Sequence, residues 1–501
     1  MILVNFFVRI IGFTYEVLLS KILGAESMGL FQIAMSTLMI FFIFTSSGVP
    51  TIITKLIAEH NSKKNMTNVE SIYKSAFLLN LFVSIILSII ILYSAEFISI
   101  KIFKNEDMLF GVYLLCPAII ILSMSIVIKS YFYGMKNIII PSIGEIIENV
   151  ARFLIIISIL YYLSPIEPVY GAMIAILGIS IGEIFNLSWT LYSKNKMYKK
   201  IPSTPLNKVG SSNFLYKILL MSFPLTISGF LSVILRFSNT IIIPSKLIEA
   251  GYSNSESVAT FGRIMGMTMP LINLPFIVTS ALVINLIPSL TEQIVLKKYK
   301  DIRDDIQLSI KATLLVSIPL AVLYSILSKS FATFLYNDQI VSDYIKIMGC
   351  STIFFALQHN LSGILYGLNK QIAANINRLI GMMVQVITLY ILVGNSRFGV
   401  MGIFISFYSS LFIIMLLDIF TLRKTTKLNF NYLDILGKPL FASAFMIIVI
   451  YLTNYDINNL QNSNALVFAS NLVVGAIAYI LVLVLTNSIP NDLFKRMLKA
   501  R

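Results

Sequence analysis

Apolar runs of about twenty residues follow one another along nearly the whole chain, parted by short polar connections. A helical run of that length crosses the roughly 30 Å hydrocarbon core of a bilayer. Water is absent there, so each backbone N–H and C=O must be satisfied within the segment, as a helix does. Only 12% of the 501 residues are charged while 57% are hydrophobic, and the mean hydropathy is +0.86. A soluble domain carries about 25% charged residues. The chain reads as an all-α, polytopic membrane protein.

Runs long enough to span predict fourteen transmembrane helices. They cover 2–22, 30–54, 75–98, 110–132, 138–162, 169–192 and 214–243, then 262–288, 310–335, 340–367, 372–394, 399–422, 436–454 and 465–487. Proline falls inside five of them, at Pro50, Pro117, Pro224, Pro270 with Pro275, and Pro319. Each frees a backbone carbonyl and bends its helix, which a membrane tolerates where neighbours or water satisfy the group. Counted together with the basic residues just inside the adjoining helix ends, such as Lys129 and Lys311, the connections after even-numbered helices and the C-terminal tail hold 27 Lys and Arg residues against 7 in the opposite set. That bias puts both termini in the cytoplasm, in a cytoplasmic-membrane protein. It also absorbs most of the +15 net charge, so nucleic acid is not expected as a partner. The first run carries charges and no A-x-A-like site, so it is not expected to be a cleaved signal peptide.

A repeat is visible. Tyr133-Gly134-Met135 returns as Tyr366-Gly367-Leu368, 233 residues later, and Glu59 and Glu292 close their helices at the same offset. Phe31-Gln32-Ile33-Ala34-Met35 has a weaker echo in Phe261-Gly262-Arg263-Ile264-Met265. A constant offset implies a six-helix unit used twice. Six is even, so the two copies are parallel, an arrangement that places a substrate cavity between halves that rock. The expected division is an N-lobe at 1–193, a basic linker at 194–213, a C-lobe at 214–422, and two extra helices with a basic tail at 423–501.

Charges inside these runs are the candidate binding groups. A charge near the centre of a membrane helix costs roughly 2.5–3.5 kcal/mol on insertion scales, so it turns toward protein or a water-filled cavity. Arg9 and Glu16 share a face of the first helix, roughly 10 Å apart, although Arg9 could also snorkel to the interface. Glu145, Glu148 and Arg152 share a face of the fifth. Glu148 and Arg152 can pair at i, i+4, which leaves Glu145 without an obvious partner. Glu183 lies well inside the sixth helix. Arg236 and Arg263 sit toward helix ends, where an interfacial anchor is the simpler reading. Arg9, Glu16, Glu145, Arg152 and Arg263 are expected to border one aqueous cavity. Asp418 and His359 read as packing residues.

Other chemistries find no residues. Cys116 and Cys350 lie apart in apolar segments, and two histidines are too few for a metal site. No phosphate-binding glycine loop and no nucleophile–base arrangement occurs, so neither catalysis, a cofactor nor ATP hydrolysis is expected.

Several stretches carry a family resemblance: Gly24-Ala25-Glu26-Ser27-Met28-Gly29-Leu30-Phe31-Gln32, Ser47-Gly48-Val49-Pro50, and Lys55-Leu56-Ile57-Ala58-Glu59. The second half adds Gly251-Tyr252-Ser253, Phe261 through Leu271, and Leu286-Ile287-Pro288. With fourteen helices and a six-helix repeat, these resemble the multidrug/oligosaccharidyl-lipid/polysaccharide (MOP) flippase superfamily, in its stage V sporulation protein B and polysaccharide-biosynthesis branch. The resemblance implies a flippase for a polyprenyl-diphosphate-linked saccharide, such as a peptidoglycan precursor, in spore cortex or cell-wall polysaccharide synthesis. Arg9-Ile10-Ile11-Gly12-Phe13, Glu16 and Lys21 match a first-helix pattern of the related lipid II flippases, and Arg263-Ile264-Met265 an arginine motif of their eighth helix. Tyr15 and Ser46-Ser47-Gly48 stand where those flippases carry further arginines, so the lipid II reading rests on fewer cations. Arginine suits a diphosphate because its fork meets phosphate oxygens bidentately.

Two other functions fit the same membrane fold. A cation-coupled drug exporter of the superfamily would use Glu16, Glu145 and Glu183, and a scaffold for cell-wall synthases would transport nothing. The topology is directly testable. Cysteines introduced near Asn105, Ser253 and Asn458 should react with an impermeant reagent added to intact cells, and those near Lys64, Lys200 and Lys298 should not. Equal labelling of both sets would contradict the orientation.

Overall fold

A computed structural model describes residues 2–198, 211–426, 433–453 and 465–488, all helices and short connections. Most of the basic linker, the connection around Asn458 and the basic tail lie outside the described residues. The first half consists of α1 (Ile2–Ser46), α2 (Gly48–Ser62), α3 (Met66–Tyr93), α4 (Leu115–Gly134), α5 (Ile139–Leu163), α6 (Pro168–Tyr198) and α7 (Ser211–Glu249). The second half runs through α8 (Asn254–Gly262), α9 (Phe276–Val295), α10 (Tyr299–Ile326), α11 (Ile340–Gly349), α12 (Ser351–Gly367) and α13 (Gln371–Val393). It ends with α14 (Val400–Thr426), α15 (Lys438–Thr453) and α16 (Ala465–Leu485).

Among the described residues, twelve helices are long and apolar enough to cross a membrane, or thirteen when α11 and α12, bent by 48°, count as one span. The expected fourteen is not reached, because the first two predicted helices fall in one run of 55 residues, Val8–Ser62. At about 1.5 Å per residue that run is more than twice the bilayer core, and it is kinked at Gly24 (φ 75°, ψ 178°). The predicted eighth helix is also redrawn. It breaks into α8, a π-helical turn at Arg263–Thr268, a short turn at Met269–Ile272, and α9. Pro270 and Pro275 bring no N–H into this stretch. The surrounding polar groups close it instead: Tyr336 donates to the Met267 carbonyl at 2.7 Å, Tyr324 to Leu271 at 2.8 Å and Thr268 to Arg263 at 2.9 Å.

Contacts divide the chain into two compact units, Met1–Ile248 with Tyr252–Gly262, and Glu249–Gly251 with Arg263–Arg501. Helix α7 belongs by contact to the first. The core of that unit gathers Ile53 and Ile57 of α2, Ile72 of α3, Ile128 and Phe132 of α4, and Phe214 and Ile218 of α7. The core of the second gathers Leu286 and Leu290 of α9, Ile306 and Ile310 of α10, and Leu361 and Leu365 of α12. Ile53 and Ile57 precede Leu286 and Leu290 by the repeat offset of 233, so each copy packs corresponding positions.

Two glycine requirements shape the first unit. The backbone at Gly24 lies in a region that side-chain-bearing residues avoid. Beyond it α1 meets α8 so closely that a Cβ on Gly29 would collide with the Val258 backbone, and one on Gly262 with the backbones of Ala25 and Gly29. Such contact lets dispersion act between backbones, which matters in lipid, where helices gain nothing by hiding apolar surface from each other. Gly24→Ala should destabilise the protein by about 1–3 kcal/mol. Thermal unfolding in detergent should show the loss, while Gly12→Ala, whose added carbon would meet nothing nearer than 4.0 Å, stays near wild type.

Candidate functional site

Helices α4, α5 and α6 each bring charge to one place inside the first unit. Lys129 of α4 holds its Nζ 3.5 Å from Glu183 Oε1 on α6 and 3.8 Å from Glu148 Oε2 on α5. Arg152, one turn beyond Glu148, donates to Glu148 Oε1. Asn186 of α6 donates from Nδ2 to both acids, at 2.9 Å to Glu148 and 3.0 Å to Glu183. Gly144 gives the Asn186 amide room, since a Cβ there would strike its oxygen. Two cations and two carboxylates thus balance. That balance matters because a buried charge stripped of its partner costs several kcal/mol.

Beside this cluster opens a cavity of about 550 Å³. Its polar wall is Thr51 and Thr54 of α2, Lys129, Ser130 and Tyr133 of α4, Glu145 of α5 and Glu183 of α6. Phe42, Leu122 and Ile126 form its apolar part. Glu145 makes no ion pair among the described residues, so it lines the cavity as an acceptor left over from a balanced cluster. The arrangement offers one ammonium, two carboxylates and four hydroxyls to a polar guest, and no nucleophile aligned with a base.

The family of polysaccharide biosynthesis proteins matches residues 1–294, more than half of the chain, and the MatE family matches residues 247–391. The chain belongs to the polysaccharide biosynthesis protein family. The family lies in the MOP superfamily of multi-pass membrane transporters, which are not enzymes. Stage V sporulation protein B of Bacillus subtilis is 24% identical over 88% of this chain and 85% of its own. The solved structure of the lipid II flippase MurJ in an inward closed conformation superposes with a TM-score of 0.73 at 17% identity. That match covers 99% of this chain and 98% of the flippase. An inward-facing multidrug resistance MATE transporter gives 0.67 at 13% identity, over 85% and 98%. These likenesses establish the fold of this family member.

Of the residues singled out from the sequence, Glu145, Glu148, Arg152 and Glu183 come together. Arg9 and Arg236 are exposed, Glu16 bonds Gln32, and none of the three lines this cavity. Arg263 opens the π-helical turn of the second unit and its Nε donates to Asp338 Oδ2 at 2.7 Å. Lys129, which the charge count assigns to the connection after the fourth helix, is a helical residue of this site and is not among the charges singled out from the sequence. Its signal was present: Ser125, Lys129 and Tyr133, at i, i+4 and i+8, stack on one face. The charge count assigns Lys194 and Lys311 to connections in the same way. Both are buried helical residues, Lys194 bound to Glu70 at 3.0 Å with its ammonium 4.0 Å above the Tyr73 ring, Lys311 bound to Asp434 at 2.6 Å.

Replacing Lys129 by Met leaves two buried carboxylates with one cation, and should destabilise the protein by about 3–5 kcal/mol. Adding Glu183→Gln should recover much of that loss. Unfolding midpoints of the two variants, compared with the exposed Lys136→Met, test the balance; indistinguishable midpoints for Lys129→Met and Lys136→Met would refute it.

Proposed function

We propose that this protein moves a polyprenyl-diphosphate-linked saccharide from the cytoplasmic to the outer leaflet by alternating access. The observation that carries the reading is the hydroxyl- and charge-lined cavity inside an otherwise apolar bundle. Glu145, Glu183 and the hydroxyls of Thr51, Thr54, Ser130 and Tyr133 suit sugar hydroxyls, which both give and accept hydrogen bonds. Lys129 adds a cation at the same wall. Arg9 and Arg263 are proposed to meet the diphosphate at some stage of the cycle, Arg263 by exchanging Asp338 for phosphate oxygens. The names of the relatives support this class of substrate: one is a sporulation protein and another a lipid II flippase. A peptidoglycan precursor is therefore the proposed saccharide.

The proposal includes fourteen crossings, with the long first run turned at Gly24, and both termini in the cytoplasm. It keeps the sequence division into lobes at 1–193 and 214–422, joined by the linker 194–213, with the last two helices at 423–501. A second reading, a cation-coupled exporter, draws on Glu145, whose carboxylate makes no ion pair among the described residues, and on the likeness to the MATE fold.

The test is outer-leaflet accessibility of the lipid-linked precursor in cells depleted of their other flippases. The wild-type chain should restore accessibility. Arg9→Ala and Arg263→Ala should each weaken transport about tenfold to a hundredfold, the equivalent of one charge-assisted phosphate contact at roughly 1.5–3 kcal/mol. Transport unimpaired in the double variant, at equal membrane abundance, would remove the anion site. Drug resistance without precursor transport would favour the exporter.

A further inference from the structure

Arg263 replaces an aliphatic residue of the first copy of the repeat. Glu26-Ser27 and Phe31 return as Glu256-Ser257 and Phe261, 230 residues later, and that offset sets Ile33 at the place of Arg263. Its partner Asp338 replaces a neutral residue. A π-helical turn, Ile98–Phe103, ends at Lys104 in the left-handed region (φ 52°), and Asn105 follows. The equivalent turn, Ala332–Tyr336, ends at Asn337 (φ 54°), and Asp338 follows. Both residues then do the same work: Asn105 Oδ1 accepts from the Asp107 N–H at 2.9 Å, and Asp338 Oδ1 from the Ile340 N–H at 2.9 Å. An asparagine satisfies that bond, so the turn does not account for the negative charge of Asp338.

The other oxygen accounts for it. Asp338 Oδ2 accepts from Arg263 Nε at 2.7 Å, and the two side chains are only 17% and 18% exposed. The guanidinium makes no other hydrogen bond or ion pair among the described residues. Contact through one nitrogen is weaker than the two parallel bonds an arginine fork can make, so a ligand with two suitable oxygens can outcompete it. Asp338 itself stays in place when the arginine turns away, because the Ile340 amide holds its Oδ1.

A membrane protein is surrounded by phospholipid headgroups, whose phosphodiesters carry a single negative charge. Such a group offers Arg263 no more charge than Asp338 does, and it must be immobilised to bind, whereas the carboxylate is already in position. A diphosphate brings further charge and enough oxygens to meet the fork bidentately. We infer that Asp338 is a specificity-determining residue of the Arg263 site: as its resident counter-ion it withholds the guanidinium from monoanionic phospholipid phosphates and yields it to a diphosphate. Selectivity then comes from a competitor built into the site. The inference rests on the transport reading above, in which Arg263 exchanges Asp338 for phosphate oxygens.

The test uses the full chain in a neutral detergent, with the thermal unfolding midpoint followed against farnesyl diphosphate and, separately, against a short-chain phosphatidylglycerol. The wild type should respond to the diphosphate at a concentration at least about tenfold below that needed of the phosphatidylglycerol. Asp338→Asn keeps the turn and removes the charge; it should bind both, with the preference reduced by about tenfold. Asp338→Ser, whose hydroxyl also accepts from the amide two residues on, should behave alike. A merely structural role would lower the midpoints without changing the preference. Arg263→Ala should lose the diphosphate response. A wild-type preference in both Asp338 variants, with that response lost in Arg263→Ala, would overturn the inference and leave the anion site standing. A diphosphate response in Arg263→Ala equal to that of the wild type would overturn both.

Discussion

The hydrogen bond between backbone groups, forced to close within each segment because hydrocarbon offers no alternative, is the constraint on which this structure rests. It makes the chain helical wherever it is apolar, and it sets the terms on which a helix can be broken. At Gly24 the break relies on a residue without a Cβ. Around Pro270 and Pro275 it relies on the hydroxyls of Thr268, Tyr324 and Tyr336, which bond carbonyls along the irregular stretch. Arg263 stands at the first residue of that stretch, where a π-helical turn and the Asp338 carboxylate hold it.

Charge is managed under the same scarcity. In the first unit, three helices contribute Lys129, Glu148, Arg152 and Glu183, with Asn186 bridging the acids, and together they form a neutral, hydrogen-bonded group. A neutral group can be dry on one side and still present polar atoms to a cavity on the other. Glu183 does so as a member of that group, and Glu145 beside it adds a carboxylate that makes no ion pair among the described residues. A saccharide is itself neutral and rich in hydroxyls, so it suits such a wall better than a strongly charged one.

The repeat shows how far duplication and charge have diverged. The apolar positions correspond in kind, Ile53 and Ile57 with Leu286 and Leu290, since a core tolerates exchange among residues of similar volume. The polar positions do not, because a charge placed in one copy requires a partner there. Ile33 and Asn105 of the first copy stand where the second has Arg263 and Asp338, each the other's counter-ion.

Hydropathy alone determined that the chain is an all-α membrane protein, and spacing pointed to the recurring offset of 233 and to the Glu148–Arg152 pair. Those properties depend on local composition and on the 3.6-residue period, which any single segment carries. Three things were decided only by the tertiary structure. Apolar runs on either side of Gly24 join into one kinked helical run, because a break at one glycine does not interrupt helical hydrogen bonding in the flanking turns. Lys129, Lys194 and Lys311 lie inside helices bound to acids, not in connections, because the cost of burying a lysine is met by a partner distant in sequence: Glu183, Glu70 and Asp434. Which charges share a cavity was also hidden, since side chains on α2, α4, α5 and α6 converge only after packing fixes how each helix is turned. A sequence states which groups are costly to bury; the fold states which of them face each other.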